Sequence, residues 1–248
     1  MSETIRQPGR TRNAQGIARR IFRHENATLV IVLIALMGGI AFISHGVSLS
    51  RANLMNILLQ VSIKGMASIG QAFVILTAGI DLSVGGMGLV SSIVGASMLT
   101  EAPHLNIVGH AVPIGVGALV MLLVGAGFGL ANGALVSRVG MPGLIVTLGM
   151  WQICKGVGYG VGGGYTITYL PEGLLALGQG NIAGVPVPSI VFIVIAVVAY
   201  LILNYTSFGR SVYTVGGNPA SAWLSGINVK KILLMAYMVS IHARDTAI

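Results

Sequence analysis

From Met55 to Leu99 the chain is apolar almost without interruption. The sole breaks are Lys64 and the stretch ILTAGIDLSVGG, Ile75–Gly86. Drawn as one helix, these 45 residues would reach about 68 Å at a rise of about 1.5 Å per residue. That is about twice the ~30 Å hydrocarbon core of a bilayer. Such a run has to fold back on itself, and the glycine-rich segment Gly79–Gly86 is where it can. The expected result is two spans with the turn near Asp81. Leu29–Ile43 precedes this pair. Val112–Val136, Gly143–Tyr159, Val187–Leu203 and a short last run, Ile232–Ile241, follow it. The fold class is therefore all-α: a polytopic transmembrane helical protein with about six complete spans and a partial one. Composition agrees. Of the 248 residues 54% are hydrophobic and 8% charged, whereas soluble domains average about 25% charged.

The net charge of +8 would suit a nucleic-acid partner only if the cations formed a stripe interleaved with aromatics. They do not. Six of the fourteen Lys and Arg lie in the tail (Arg6, Arg10, Arg12, Arg19, Arg20 and Arg23), and Arg210, Lys230 and Lys231 share one late loop. This is topogenic charge at a membrane, with a cytoplasmic N-terminus. Counting spans from that end puts Arg138 and Tyr205–Lys231 inside, and Glu101–His110 and Gly162–Pro188 outside. The chain then divides into a cytoplasmic basic tail (1–28), a transmembrane domain (29–241) with a cytoplasmic loop at 205–231, and a polar end (242–248). The single cysteine, Cys154, excludes an internal disulfide and reads as a core thiol.

Asp81 is the one charged residue between Gly65 and Thr100. A carboxylate at mid-bilayer costs roughly 2.5–3.5 kcal/mol on insertion scales, so it needs a reason to be there. One reason is capping: its side chain can accept from the N–H groups of Ser83 or Val84 and sits at the positive end of the next helix. The other is a non-helical break beside a transport pathway, formed by Gly79, Asp81, Ser83 and Gly85. The two are compatible. Lys64 is 17 residues earlier, too far along a helix to be a local partner. Gly125, Gly129 and Gly133 are spaced by four and mark a face for close helix packing.

Catalytic signatures are missing. Gly158-x-Gly160-x-x-Gly163 matches the dinucleotide fingerprint as a string, but no strand precedes it and no acid follows about 20 residues on. There is no GxxxxGK[ST], no HExxH and no GxSxG, and the five histidines have no ligand spacing. An intramembrane enzyme would need paired acids or a Ser/His dyad, and Asp81 stands alone. No catalytic residue, metal site or bound cofactor is expected.

The loop TSFGRSVYTVGGNPASAWLSGINVKK, Thr206–Lys231, carries a second signal. Asn218 is an N-cap, Pro219 a first helical residue and Gly226 a stop. They bracket a helix at Pro219–Ser225. On it Ala220, Trp223 and Leu224 share an uncharged face. Such a face calls for a partner groove, the alternative being lipid headgroups.

GIDLSVGG, LANGALVSRVGMPGLIVTLGMW (Leu130–Trp151) and FGRSVYTVGGNPASAWLSGINV together resemble the permease subunits of bacterial ABC importers of monosaccharides, of the ribose, arabinose, xylose and galactose type. The likeness runs from about Asn53 to Ser240. It implies a dimer with a second permease copy or paralogue, two ABC ATPase subunits that carry ATP and Mg, a periplasmic sugar-binding protein, and residence in the bacterial inner membrane among lipid. It implies that the helix at Pro219–Ser225, flanked by Gly217, Asn218, Gly226 and Ile227, couples to the ATPase, and that Arg210 serves docking or topology. It also implies further spans after Lys231. Here the chain reads VSIHARDTAI instead, as if truncated or frame-shifted after about Ser240, which leaves an inactive fragment as the alternative. Two smaller departures are Gly86, where Ser is commoner, and Trp223, where a charged or small residue is commoner.

Overall fold

The computed structural model describes residues 25–245, with side chains from 28 to 240. Most of the basic tail and the last three residues therefore lie outside the described part, as do the side chains of His242, Arg244 and Asp245. The helices, in order, are α1 Glu25–Ile43, α2 Arg51–Leu76, α3 Val84–Leu99, α4 Ile114–Ala134, α5 Gly143–Gly162, α6 Glu172–Gln179, α7 Val187–Tyr205, α8 Ser207–Gly217, α9 Pro219–Leu224 and α10 Val229–Asp245. A π-helical turn, Leu135–Val139, continues α4. The chain forms two compact units, Met1–Asn56 and Ile57–Ile248, divided within α2.

The six expected apolar helices are present as α1, α2, α3, α4, α5 and α7, which makes the molecule a polytopic helical membrane protein. Four stretches have the length and hydropathy to cross a bilayer: Arg51–Leu76, Ile114–Val139, Gly143–Gly162 and Val187–Tyr205. The apolar stretches Thr28–Ile43 and Val84–Leu99 are shorter; the latter, 16 residues, reaches about 24 Å. The helix that carries the last apolar run continues past Ile241, its backbone helical to Asp245. Alanine and arginine are good helix formers, so polarity ends an apolar run without ending a helix.

Several elements lie outside the long apolar runs and were not expected. α8 and α6 are two of them. Another is a small hairpin, β1 Asn181–Ile182 paired antiparallel with β2 Val185–Pro186. Its turn residues Ala183 and Gly184 both have positive φ (52° and 81°), as a type I′ turn requires.

In the second unit α3 lies against α4 and α5, and α10 runs along α4. Met87 and Val90 of α3 join Met150 and Cys154 of α5 in one buried cluster, closed by Val124, Phe128 and Ala131 of α4. A second cluster joins Phe73 of α2, Ala199 of α7 and Ala236 of α10. Small residues set how closely the helices approach. A Cβ on Gly133 would lie 3.0 Å from the Leu234 carbonyl oxygen, and Gly125 and Gly129 are buried on the same stripe. Outward on α7, Ile193, Val194, Val197, Val198 and Leu201 are exposed. That face suits lipid, since nothing apolar covers it within the unit.

Candidate functional site

The break between α2 and α3 is Thr77–Ser83, shorter than expected. Gly85 is not part of it: α3 begins at Val84, which places Gly85 and Gly86 in the first helical turn. Only the glycine at 79 lies in the break. α2 ends on a left-handed residue that is not glycine, Ala78 (φ 58°), and the Gly79 N–H returns to the Val74 carbonyl at 2.9 Å. No sequence signal marked Ala78, because such a C-terminal position usually takes Gly.

Asp81 is 3% exposed. Its Oδ1 accepts from the Ser83 N–H at 2.9 Å and from the Ser83 hydroxyl. This is the local, cap-like bond expected at a helix entrance. Its Oδ2 accepts from the Ser240 hydroxyl of α10 at 3.2 Å. Asn132 of α4 donates through Nδ2 to the Ser83 Oγ at 2.7 Å. The Tyr237 hydroxyl of α10 donates to the Ile80 carbonyl at 3.1 Å. Ser83, Asn132, Tyr237 and Ser240 are all fully buried. Asp81 thus sits inside a polar node built from the break, α4 and α10. Neutral donors satisfy its carboxylate, as a buried anion requires. Neither of the two clefts described below is lined by Asp81. Asn132, Tyr237 and Ser240 are absent from the expected site set. They lie 49 to 159 residues away from their partners in sequence, and no local pattern joins them.

The loop helix forms as expected, one residue shorter. α9 is Pro219–Leu224, and the Asn218 Oδ1 accepts from the Ser221 N–H at 3.0 Å. Gly226 has φ 79°. The Ile227 N–H returns to the Ala222 carbonyl at 3.0 Å, a bond from the second residue past the cap that closes the helix end. Ala222 points inward onto Val212, Val215 and Ile232, with Ile227 packed beside them. Ala220, Trp223 and Leu224 face outward, the last two at 70% and 78% exposure. Arg210 on α8 is also exposed, as are Gly217 and Ser225.

These features gather at one end of the second unit. A Cβ on Gly216 of α8 would strike the Leu76 carbonyl at the close of α2. A Cβ on Gly143, which opens α5, would lie 2.5 Å from the Tyr237 hydroxyl and 3.1 Å from the Ile80 carbonyl. A cleft of about 720 Å³ at the base of α9 is lined by Ser137 of the π turn, Trp223, Ile227, Lys230 and Leu233. The opposite loops are tied to each other. The Thr100 hydroxyl donates to the Thr168 carbonyl at 2.5 Å, and the Glu101 N–H donates to the Tyr169 carbonyl at 3.1 Å. A cleft of about 350 Å³ opens there between α3 and α5, beside Ser92, Tyr159 and Tyr165.

Residues 53–241 match the family described as branched-chain amino acid transport system / permease component. Among curated relatives, the ribose import permease protein RbsC of Haemophilus influenzae is 33% identical over 90% of this chain and 67% of its own length. The fructose import permease protein FrcC of Rhizobium meliloti is 34% identical over 88% of this chain and 61% of its own. The galactose/methyl galactoside import permease protein MglC of Salmonella typhimurium is 32% identical over 86% and 66%. No solved structure matches the chain. The chain spans between about half and two thirds of the length of the relatives it matches. A buried helix break, a capped helix with an uncovered apolar face, and a family match over most of the chain agree with one another, and the chain belongs to the transport permease family that includes the bacterial sugar import permeases.

Proposed function

We propose that this chain is the membrane-spanning permease subunit of an ATP-driven, binding-protein-dependent importer of a monosaccharide or similar small polyol, and that it couples to a separate ATPase through Pro219–Leu224. The curated relatives are permeases for ribose, fructose and galactose. ATP and Mg belong to the ATPase, and this chain carries out no covalent step. A second permease copy or paralogue completes the pathway, and a periplasmic protein delivers the sugar. The N-terminus is cytoplasmic in this reading, which puts α9 on the ATPase side.

The observation that carries the reading is the exposure of Trp223 and Leu224 on a helix fully capped at both ends. Two large apolar side chains on so short a helix gain nothing in water, while burial in a partner groove contributes roughly 1.5–3 kcal/mol each. The test is recovery of the ATPase by a tagged permease. Leu224→Asp puts an unpaired carboxylate into the groove and should abolish recovery with membrane insertion unchanged, because residue 224 lies outside every span. Normal recovery would mean that α9 rests on lipid headgroups.

A further inference from the structure

We infer that Tyr237 and Ser240 are positioning residues that carry a displacement of α9 to the Asp81 break. The inference rests on the docking role proposed for α9 and adds the route by which docking reaches the membrane-embedded part.

The route is short and stiff at each step. Four residues separate Leu224 from Val229, and they are pinned. The Gly226 and Ile227 N–H groups bond back to Trp223 and Ala222. Asn228 accepts from the Lys231 N–H at 3.0 Å and so caps α10. Ile227 packs with Val212, Val215, Ala222 and Ile232, in a core that also takes Leu76, the last residue of α2. α9 therefore has no hinge against α10. From Val229 to Ser240, α10 is a rod of about 16 Å, and the break is attached at its far end.

The attachment is made by two hydroxyls. Tyr237 donates to the Ile80 carbonyl and Ser240 to the Asp81 Oδ2. Three glycines leave room for these two residues. A Cβ on Gly79 would sit 3.2 Å from the Tyr237 hydroxyl, one on Gly143 2.5 Å from it, and one on Gly70 2.3 Å from the Ser240 carbonyl. On the opposite side Ser83, the last residue of the break, is tied to both other helices: its carbonyl accepts from the Met87 N–H of α3 at 2.9 Å and its hydroxyl oxygen from Asn132 of α4. The break is thus held between α10 and the α3–α4 pair. Its two large apolar side chains, Ile80 and Leu82, project outward at 48% and 45% exposure and do not wedge it in place. Packing alone needs only a ring at 237. The hydroxyls are needed where a non-helical segment has to follow α10 in register, because directional bonds hold position while apolar contacts slide.

The test uses this chain and the ATPase that co-purifies with it. Cys154 is the single native cysteine and is fully buried, so Leu82→Cys reports the break alone through its rate of maleimide labelling. ATPase binding should change that rate in the otherwise native chain. In a Tyr237→Phe/Ser240→Ala background the ATPase should still be recovered, but its effect on labelling should vanish. Ser240→Thr, which keeps the donor, should retain the effect. Tyr237→Phe alone, which preserves ring and volume, should weaken it about fivefold, the equilibrium equivalent of one hydrogen bond. Should the double variant fail to fold, judged by helical circular dichroism, this single variant decides. An undiminished effect in the variants, or no effect of ATPase binding in the native background, overturns the inference and leaves docking intact. Failure of the ATPase to bind at all overturns the docking reading and the inference with it.

Discussion

Asp81 shows how one buried carboxylate can be kept in an apolar protein. Two hydroxyls and one backbone N–H satisfy it, and no Lys, Arg or His among the described residues bonds to it. An amide can replace most of this arrangement. Asp81→Asn keeps an acceptor for the Ser83 N–H and should shift stability by less than about 1 kcal/mol. Asp81→Leu leaves the Ser83 N–H and the Ser240 hydroxyl without that partner inside the protein and should lower stability by about 1–3 kcal/mol. Thermal unfolding in detergent measures both, and equal small losses would show that the node is not held through residue 81. Legibility at this scale was uneven. The bond from Asp81 to its own helix entrance follows from two neighbouring letters, whereas the left-handed Ala78 is set by the path the chain takes between α2 and α3.

At the scale of helices, the bracket of Asn218, Pro219 and Gly226 predicts α9 because each acts through its own backbone. α8 escaped notice since its residues Ser207–Gly217 combine glycine, β-branched and polar residues and show no apolar run, although Val212 and Val215 anchor it in the core. Gly86 illustrates a constraint between helices. A Cβ there would lie 2.5 Å from the Trp151 Cδ1 and 2.8 Å from the Trp151 carbonyl oxygen, so α3 and α5 meet at the only size this pair allows. A serine here has no space beside Trp151. Gly86→Ser should cost about 1–3 kcal/mol through overpacking, and a smaller residue at 151 should relieve only the share owed to the indole, since the carbonyl oxygen stays in place. Melting temperatures of the two single variants and of Gly86→Ser/Trp151→Ala provide the check, and fully additive losses would show that the indole takes no part.

For the whole molecule, the count of spans separates the loops into two groups. The second unit places the break, the π turn and the α8–α9 segment at one end, and joins Thr100–Glu101 to Thr168–Tyr169 at the other. The basic tail predicts which end faces the cytoplasm. A cysteine at Ser2 should be protected from a membrane-impermeant thiol reagent in intact cells, while one at Gly163 should be labelled. The reverse pattern would invert the protein and place α9 away from any ATPase.

Apolar runs, their lengths against the bilayer and the letters at helix ends were enough to determine the class, the six apolar helices, the fold-back near Asp81 and the capped helix at Pro219, because these depend on solvent and on neighbours within a few residues. Tertiary structure alone decided what surrounds Asp81. Asn132, Tyr237 and Ser240 reach the break only after α4 and α10 have packed along the Gly133 stripe, and hydrogen bonds between residues 49 to 159 positions apart leave no period in a sequence. It likewise decided that Ala222 faces the core while Trp223 and Leu224 are left uncovered, since the rotation of so short a helix is set by the surface it lies on.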